Sequence, residues 1–223
     1  MSTVPRSDLS TATRAALLEA AIVEFAAHGF DGASTRAIAT RAGVHQPQIN
    51  YHFASKLELW RAAVDWLFEE LLQEAEQARR GARTRRDQLE AAIGAFVRHA
   101  ARRPELNRIM VHESGAPSQR LEWLVDTHVK ERFAQVTALW EPLRRAGEVI
   151  DIDSLTAFYL ILGGGTLLYT NAPEARLISG EEPTRAERIE THTAALIAML
   201  TRPSRGSSST SNDTRSGTKR RSA

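Results

Sequence analysis

The stretch "STRAIATRAGVHQPQINYHF", residues 34–53, decides the fold prediction because it contains two short helices separated by a turn. Ser34 is typical of a helix N-cap, and it predicts a helix over 35–42. Gly43 ends this helix, and a further short helix is predicted at about 46–52. The first turn of that last helix is polar, which indicates an exposed helix with a binding role.

The flanking sequence extends the pattern on both sides. An amphipathic helix over 8–27 precedes it and ends at His28-Gly29. Ser55, with Glu58 three residues later, predicts a capping box that opens a long helix over 56–80. Two short helices joined by a tight turn after an amphipathic helix are typical of a three-helix helix-turn-helix unit.

The rest of the chain also favours helices, without a convincing period-2 alternation. The fold class predicted is therefore all-α, with about nine helices in an N-terminal helix-turn-helix domain and a C-terminal bundle. The helices predicted after residue 80 lie at roughly 86–102, 104–112, 118–146, 153–171 and 184–201. Pro142 is expected to kink the third of these, and "GGG" at 163–165 is expected to allow close helix–helix packing.

Composition excludes several classes of protein. The 223 residues contain no cysteine, which excludes disulfides, thiolate zinc sites and a cysteine nucleophile. No apolar run approaches the roughly 20 residues of a membrane span, and the N-terminus does not resemble a signal peptide. We therefore expect a cytoplasmic protein with no membrane partner.

The sequence offers no enzyme or metal signature. His112-Glu113 lacks the second histidine of a helical zinc-protease motif, because position 116 is alanine. We find no nucleophile–base–acid arrangement, so we expect no enzymatic activity, no metal and no cofactor.

The positive charge is concentrated at the C-terminus. Residues 202–223 hold six Lys/Arg against Asp213, whereas residues 1–60 carry five basic and five acidic residues. The Ser/Thr/Gly-rich composition of 203–223 predicts a disordered basic tail. This tail is either a solvated segment or a source of sequence-independent attraction to DNA.

The polar start of the third helix has the side chains that read bases. In a helix-turn-helix unit these residues enter the major groove. Gln46 and Gln48 are suited to bidentate contact with adenine, and the Pro47 ring offers an apolar edge to a thymine methyl. Arg36, near the start of the preceding helix, is placed to reach a guanine edge.

A second set of residues is predicted to contact phosphates. Thr35 and Lys56 lie at helix N-termini, where free N–H groups and the helix dipole favour an anion. Tyr51 and His52 are expected to add hydrogen bonds to phosphate oxygens, which position the protein without specifying sequence.

At this point the chain resembles a known family. "TRAALLEAAIVEFAAHGFDGASTRAIATRAGVHQPQINYHFASKLELW", residues 13–60, is similar to the DNA-binding domain of the tetracycline-repressor (TetR) family of bacterial regulators. His45, Pro47 and Asn50 depart from the residues of many members, although the "QP" pair resembles the tetracycline repressor itself. The resemblance implies an all-α homodimer that a small molecule releases from its operator.

The resemblance also implies a division of the chain. The domains expected are a flexible N-terminus (1–10), the helix-turn-helix domain (11–60), a connecting helix (61–80), a ligand-binding and dimerisation domain (81–202) and the tail (203–223). The candidate ligand pocket is Phe96, His99, Met110, Trp123 and Trp140, although most of these side chains fit a core equally well. The candidate dimer interface is Tyr159, Leu162, Gly163, Thr166, Ile189, His192 and Leu196.

The predicted function is therefore a DNA-binding transcriptional regulator. The main interpretation is a repressor that binds a palindromic operator of double-stranded DNA as a homodimer and is released by a small-molecule effector. The alternative is a ligand-independent DNA-binding or architectural protein that acts through protein partners.

Overall fold

The computed structural model describes residues 6–203, with side chains from Ser10 onward. These residues form helices connected by short loops, which confirms the all-α prediction. The helices are α1 (Arg6–Gly32), α2 (Thr35–Arg41), α3 (Pro47–His52), α4 (Lys56–Arg79), α5 (Arg85–Arg102), α6 (Pro104–Ser114), α7 (Gln119–Leu124), α8 (Lys130–Ala146), α9 (Ser154–Thr170), α10 (Ala172–Ser179) and α11 (Ala186–Leu200). A π-helical segment, Val125–Val129, joins α7 to α8. None of the described helices is long and apolar enough to cross a membrane.

The predicted start of α1 differs from the observed one. α1 begins at Arg6, inside the segment 1–10 that was expected to be flexible, and residues 1–5 lie outside the described residues. At the other end Gly29 has φ 66° and ψ 178°, which interrupts the helix at the predicted position. Glycine reaches this conformation at little steric cost, and the chain then makes one more helical turn to Gly32.

Local hydrogen bonds fix the short helices of the N-terminal domain. The Ser34 hydroxyl accepts from the N–H of Ala37 at the start of α2, as predicted. The Ser55 hydroxyl accepts from the N–H of Glu58 at 3.1 Å. The reciprocal half of the predicted capping box is absent, because the Glu58 carboxylate accepts from Arg61 instead.

The first hydrophobic core joins the helix-turn-helix domain to later helices. Its buried members from the N-terminal helices include Leu18, Ile22, Phe25, Ile38, Ile49 and Phe53. The same core contains Trp60 and Leu67 of α4, Ile109 of α6 and Leu124 of α7. It therefore crosses the expected domain boundaries at residues 60 and 80.

The second core lies in the C-terminal bundle, between α5, α8, α9 and α11. Its buried members include Leu89, Ile93, Val97, Trp140, Ile161, Tyr169, Leu196 and Leu200. Trp140 is fully buried, and its indole N–H donates to the carbonyl of Ile152 at 2.9 Å. The hydrogen bond satisfies the one polar atom that this large side chain brings into the core.

Two predictions for the C-terminal helices were incomplete. The helix predicted over 118–146 is divided into α7, the π-helical segment and α8, and α8 continues through Pro142. The segment 173–183 was predicted as a break, but α10 occupies its first half. Pro173 lies in the first turn of α10, where a proline removes no helical hydrogen bond.

Two glycines of α9 allow close packing between helices, as predicted. A Cβ atom on Gly164 would lie 2.8 Å from Leu196 Cδ1 of α11. A Cβ atom on Gly165 would lie 2.8 Å from Phe96 Cε1 of α5. Gly163 has no such neighbour and faces outward.

Candidate DNA-binding surface

α3 presents a polar face outward and buries one apolar side. Ile49 and Phe53 are almost fully buried in the first core, whereas Tyr51 is 80% exposed. The exposed residues at the start of the segment are His45, Gln46, Pro47, Gln48 and Asn50. Because the apolar residues fix the rotation of α3, its polar first turn must face solvent.

The first turns of α2 and α3 meet at this surface. Gln46 Nε2 lies 3.5 Å from Thr35 Oγ1, which brings a predicted base contact next to a predicted phosphate contact. Arg36, the next residue of α2, is exposed. Three predicted contacts from two helices are therefore neighbours on one surface.

Gln48 uses part of its hydrogen-bonding capacity within the chain. Its Oε1 accepts from the N–H of His45 at 3.1 Å, just ahead of α3. The side-chain NH₂ remains as a donor, so a bidentate contact with adenine requires this bond to open.

Lys56 is held in place at the N-terminus of α4. Its ammonium group donates to the carbonyl of Asp31 at 3.3 Å and lies 4.8 Å from the centroid of the Phe30 ring. A cation–π contact of this kind fixes the charge without neutralising it. The positive charge therefore adds to the positive end of the α4 dipole.

Tyr51 and His52 form the other edge of the surface. Their rings pack edge to face with centroids 4.9 Å apart, which leaves the Tyr51 hydroxyl in solvent. The sequence interpretation missed Arg14, an exposed residue of α1 whose guanidinium lies 5.3 Å from the Phe53 ring. Its signal was present, because Arg14 is one of only five basic residues before position 60.

A second arginine of the N-terminal domain has a structural role. Arg41 donates through Nε and NH2 to one carboxylate oxygen of Glu24, at 3.1 and 3.0 Å. Glu24 is almost fully buried, so this ion pair fastens the end of α2 to α1. Arg41 is therefore a weaker candidate for a phosphate contact than Arg36.

The predicted pocket residues are divided between the two cores. Met110 and Trp123 pack against the first core, whereas Phe96 and Trp140 belong with the second. His99 is buried, and its Nδ1 lies 3.4 Å from Glu74 Oε1. The five side chains therefore do not share one cluster.

The structure has open space at a different place, between α4 and α5. A cleft of about 480 Å³ there is lined by Glu70, Gln73, Glu74, Gln77, Arg102 and Arg103. Its walls are polar, and two arginines face two glutamates. The sequence interpretation did not select these residues, because charged positions on a long helix read as an ordinary solvated face.

The predicted interface residues differ in exposure. Tyr159 and Gly163 of α9 are exposed, whereas Thr166 and Leu196 are buried within the chain. Leu162, Ile189 and His192 are half-buried. His192 Nε2 donates to the carbonyl of Gly164 at 2.7 Å, which ties α11 to α9.

Tyr169 lies beside His192 inside the second core. The two rings stack with centroids 5.5 Å apart. Burial, with the negative charge of Glu190 as a smaller cause, raises the pKa of Tyr169 to about 12. The residue is therefore a neutral part of the core throughout the physiological range.

Within residues 6–203, no group of three or more histidine, aspartate or glutamate side chains is arranged to hold a metal ion. The residues that come together instead are those of α2, α3 and the start of α4. An exposed polar helix, held by a buried isoleucine and bordered by two helix N-termini, defines a helix-turn-helix DNA-binding domain.

Comparison with known proteins identifies the family of this domain. Residues 17–63 match the model of the bacterial regulatory proteins of the tetR family. The N-terminal domain of the chain belongs to the TetR family. A curated relative, the transcriptional activator FasR of Mycolicibacterium smegmatis, is 40% identical over 83 residues, which are 37% of this chain and 38% of that protein. The chain thus matches well under half the length of this relative.

Solved structures share the whole fold. A regulator of fatty acid metabolism from Clostridium perfringens superposes with a TM-score of 0.66 at 15% identity, covering 84% of this chain and all of that one. The ketosteroid regulator KstR2 of Mycobacterium tuberculosis superposes with a TM-score of 0.65 at 17% identity, covering 85% and 95% of the two chains. A transcriptional regulator of Streptomyces coelicolor gives 0.62 at 22% identity, covering 86% and 99%. These likenesses extend the shared architecture to the C-terminal bundle.

Proposed function

We propose that the chain is a transcriptional regulator that binds palindromic double-stranded DNA as a homodimer and is released by a small-molecule effector. One observation supports DNA binding above the others: Gln46 and Thr35 meet at an exposed surface formed by the N-termini of two helices. Donors and acceptors for base edges lie there beside groups that favour a phosphate.

The base-reading role is proposed for Arg36, Gln46, Pro47 and Gln48, and the phosphate role for Thr35, Tyr51, His52 and Lys56. Arg14 is added to the phosphate set on its position beside Phe53. Each surface of this size makes few base contacts, so two copies are needed for a specific site.

An exposed apolar face on α9 supports the homodimer. Leu160, Gly163 and Leu167 follow one another at helical spacing and are exposed, with Tyr159 beside them. Met199 of α11, which is 73% exposed, lies on the neighbouring helix. Exposed apolar side chains on two adjoining helices fit an isologous contact with a second copy.

The effector is proposed with less structural detail. The cleft between α4 and α5 has the volume of a small-molecule site, but its walls are charged. Relatives named for ketosteroid and fatty acid regulation make apolar compounds the first choice for a screen. Such a compound has to displace side chains of the two cores, because Trp140 and its neighbours are closely packed.

The test begins with selection of duplexes from a random pool by the full-length chain. Fluorescence anisotropy on the selected duplex, at moderate salt, is expected to show specific binding by a dimer. A selected site without two-fold symmetry, or the absence of any specific site, would contradict the proposal. An effector is then identified as a compound that lowers this affinity, and failure to find one in a broad screen favours the ligand-independent alternative.

A further inference from the structure

Arg103 connects three parts of the molecule. It lies between α5 and α6, with φ −127° and ψ 60°, so its side chain leaves from a bend rather than from a helix. NH1 and NH2 donate to the two carboxylate oxygens of Glu19 on α1, at 2.8 and 2.6 Å. Nε and NH2 donate to the two oxygens of Glu70 on α4, at 2.9 and 3.0 Å.

These contacts are strong ones of their kind. Two fork-like pairs to one guanidinium fix both distance and direction, which a lysine cannot do. The Arg103 side chain is only 25% exposed. Although burial acts the other way, hydrogen bonds from Arg103 and Trp66 hold the pKa of Glu70 below its ordinary value. Removal of Arg103 would therefore leave two carboxylates facing each other without a cation.

The other end of α6 also contacts α1. His112 Nε2 lies 3.3 Å from the carbonyl oxygen of Ala26. A Cβ atom on Gly29 would lie 3.4 Å from the His112 ring, so the backbone and this ring are in close contact. α6 therefore meets α1 at two points, and Arg103 supplies the charged one.

We infer that Arg103 is a positioning residue that sets the orientation of the DNA-binding domain against the C-terminal bundle. The inference deepens the proposed function and rests on it. Recognition helices of a dimer must lie about 34–36 Å apart to reach successive major grooves. A domain that rotates freely about α4 meets that spacing only part of the time, so affinity for a full palindrome falls while each half-site contact stays intact.

Arg103→Gln is the first variant, because it removes the charge and keeps most of the hydrogen-bonding length. Its affinity for the selected palindrome is expected to fall about tenfold, with binding of a single half-site changed less than twofold. Glu19→Gln is expected to do the same, since it breaks the link to α1 alone. Arg103→Lys, which keeps the charge without the fork, is expected to give an intermediate loss.

Arg144→Gln is the matched control. Arg144 also joins two carboxylates, Glu141 at 3.0 Å and Asp151 at 2.9 Å, but all three lie in the C-terminal bundle. This variant is expected to bind both DNA forms like the unaltered chain. Loss of palindrome and half-site binding together in Arg103→Gln would show damage to the recognition surface and would overturn the inference.

A measurement without DNA separates this inference from the proposed function. The chain has no cysteine, so Ala27→Cys on α1 and Ala138→Cys on α8 provide two spin-label sites at exposed positions. With labelled chains diluted in unlabelled protein, the distance distribution is expected to broaden in Arg103→Gln and Glu19→Gln and not in Arg144→Gln. An unchanged distribution overturns the inference even if DNA binding is found, whereas a broadened one without DNA binding leaves Arg103 as the positioning residue and refutes the regulator.

Discussion

Gln46 of α3 and Thr35 of α2 are 3.5 Å apart through their side-chain nitrogen and oxygen, although eleven positions separate them in the chain. The contact holds the Gln46 amide at the exposed edge where the two helix N-termini meet. A side chain held in this way loses less conformational freedom when it binds a base. The geometry therefore makes Gln46 the best base-reading candidate of the set.

Gln46→Ala is expected to weaken binding to the selected palindrome by about 1–3 kcal/mol and to relax the preference at one position of each half-site. Anisotropy against a panel of single-base variants measures both effects. Gln77→Ala, at the far end of α4, is the control and is expected to change neither. Equal losses on every duplex would contradict a base-reading role, because a lost phosphate contact weakens all sequences alike.

Lys56→Ala is expected to weaken binding to all duplexes by a similar factor and to reduce the slope of log affinity against log salt by about 1. The physical reason is that its ammonium group, 4.8 Å from the centre of the Phe30 ring, remains charged and close to the helix N-terminus. Lys130→Ala provides a lysine control in α8, where the side chain pairs with Asp126. A slope that does not change would remove Lys56 from the phosphate set.

The three glycines of α9 are expected to respond differently to alanine. Gly165→Ala forces Phe96 to move, and Gly164→Ala forces Leu196 to move, so each should lower the free energy of unfolding by about 1–3 kcal/mol. Gly163→Ala meets no atom within 4 Å in one chain, and alanine favours a helix by up to about 1 kcal/mol over glycine. Chemical denaturation measures these values.

Gly163→Ala also tests the dimer. If a second α9 approaches at this position, the added methyl group should raise the dimer dissociation constant while leaving the monomer at least as stable. Sedimentation over a range of protein concentrations measures that constant. A dimer unaffected by both Gly163→Ala and Leu167→Glu would place the interface elsewhere.

Stability is expected to fall as the pH drops below about 6.5, partly through His99. Burial lowers the pKa of His99, and Glu74 and Glu70 only partly oppose that effect. Near pH 6.5 the unfolded chain binds its proton while the folded chain still excludes it, so protons favour unfolding until the folded pKa is reached. This histidine therefore adds stability above pH 6.5 relative to acid, with a slope of at most about 1.4 kcal/mol per pH unit.

His99→Gln is expected to reduce that slope between pH 7 and pH 5. The comparison uses denaturation midpoints of the variant and the unaltered chain at each pH. His128, whose pKa burial also lowers in spite of Asp65, should supply part of the slope that remains. Identical slopes for the two proteins would show that the His99 site takes up its proton as easily as the unfolded chain does.

The sequence predicted the N-terminal domain well because its signals are local. Ser34 caps the next turn, Gly29 and Gly43 take positive φ values, and Ile49 points to a core formed by nearby helices. Each of these features depends on residues within a few positions, and the family resemblance covers the same stretch. The candidate DNA-binding surface could be predicted for the same reason.

The C-terminal bundle was harder to predict because its decisive contacts are distant in sequence. Nothing beside Arg103 indicates that Glu19, 84 positions earlier, lies within hydrogen-bond distance. The α10 helix buries no residue, so it has no inward apolar stripe to reveal it. Phe96 and Trp123 are both large and apolar, and only the fold shows that they pack against different cores.

The wide turn at Val125–Val129 has a consequence for how the length of this chain can change. A π-helical turn accommodates one more residue than an α-helical turn without changing the phase of the helices on either side. Removing one residue there should let α7 and α8 run together as one regular helix, with Leu124 and Trp140 still facing their own cores. The residue lost in function would be His128, whose ring stacks on Phe68 with centroids 4.2 Å apart. A one-residue deletion at this point should therefore spare the architecture and remove a contact between the π-helical segment and α4.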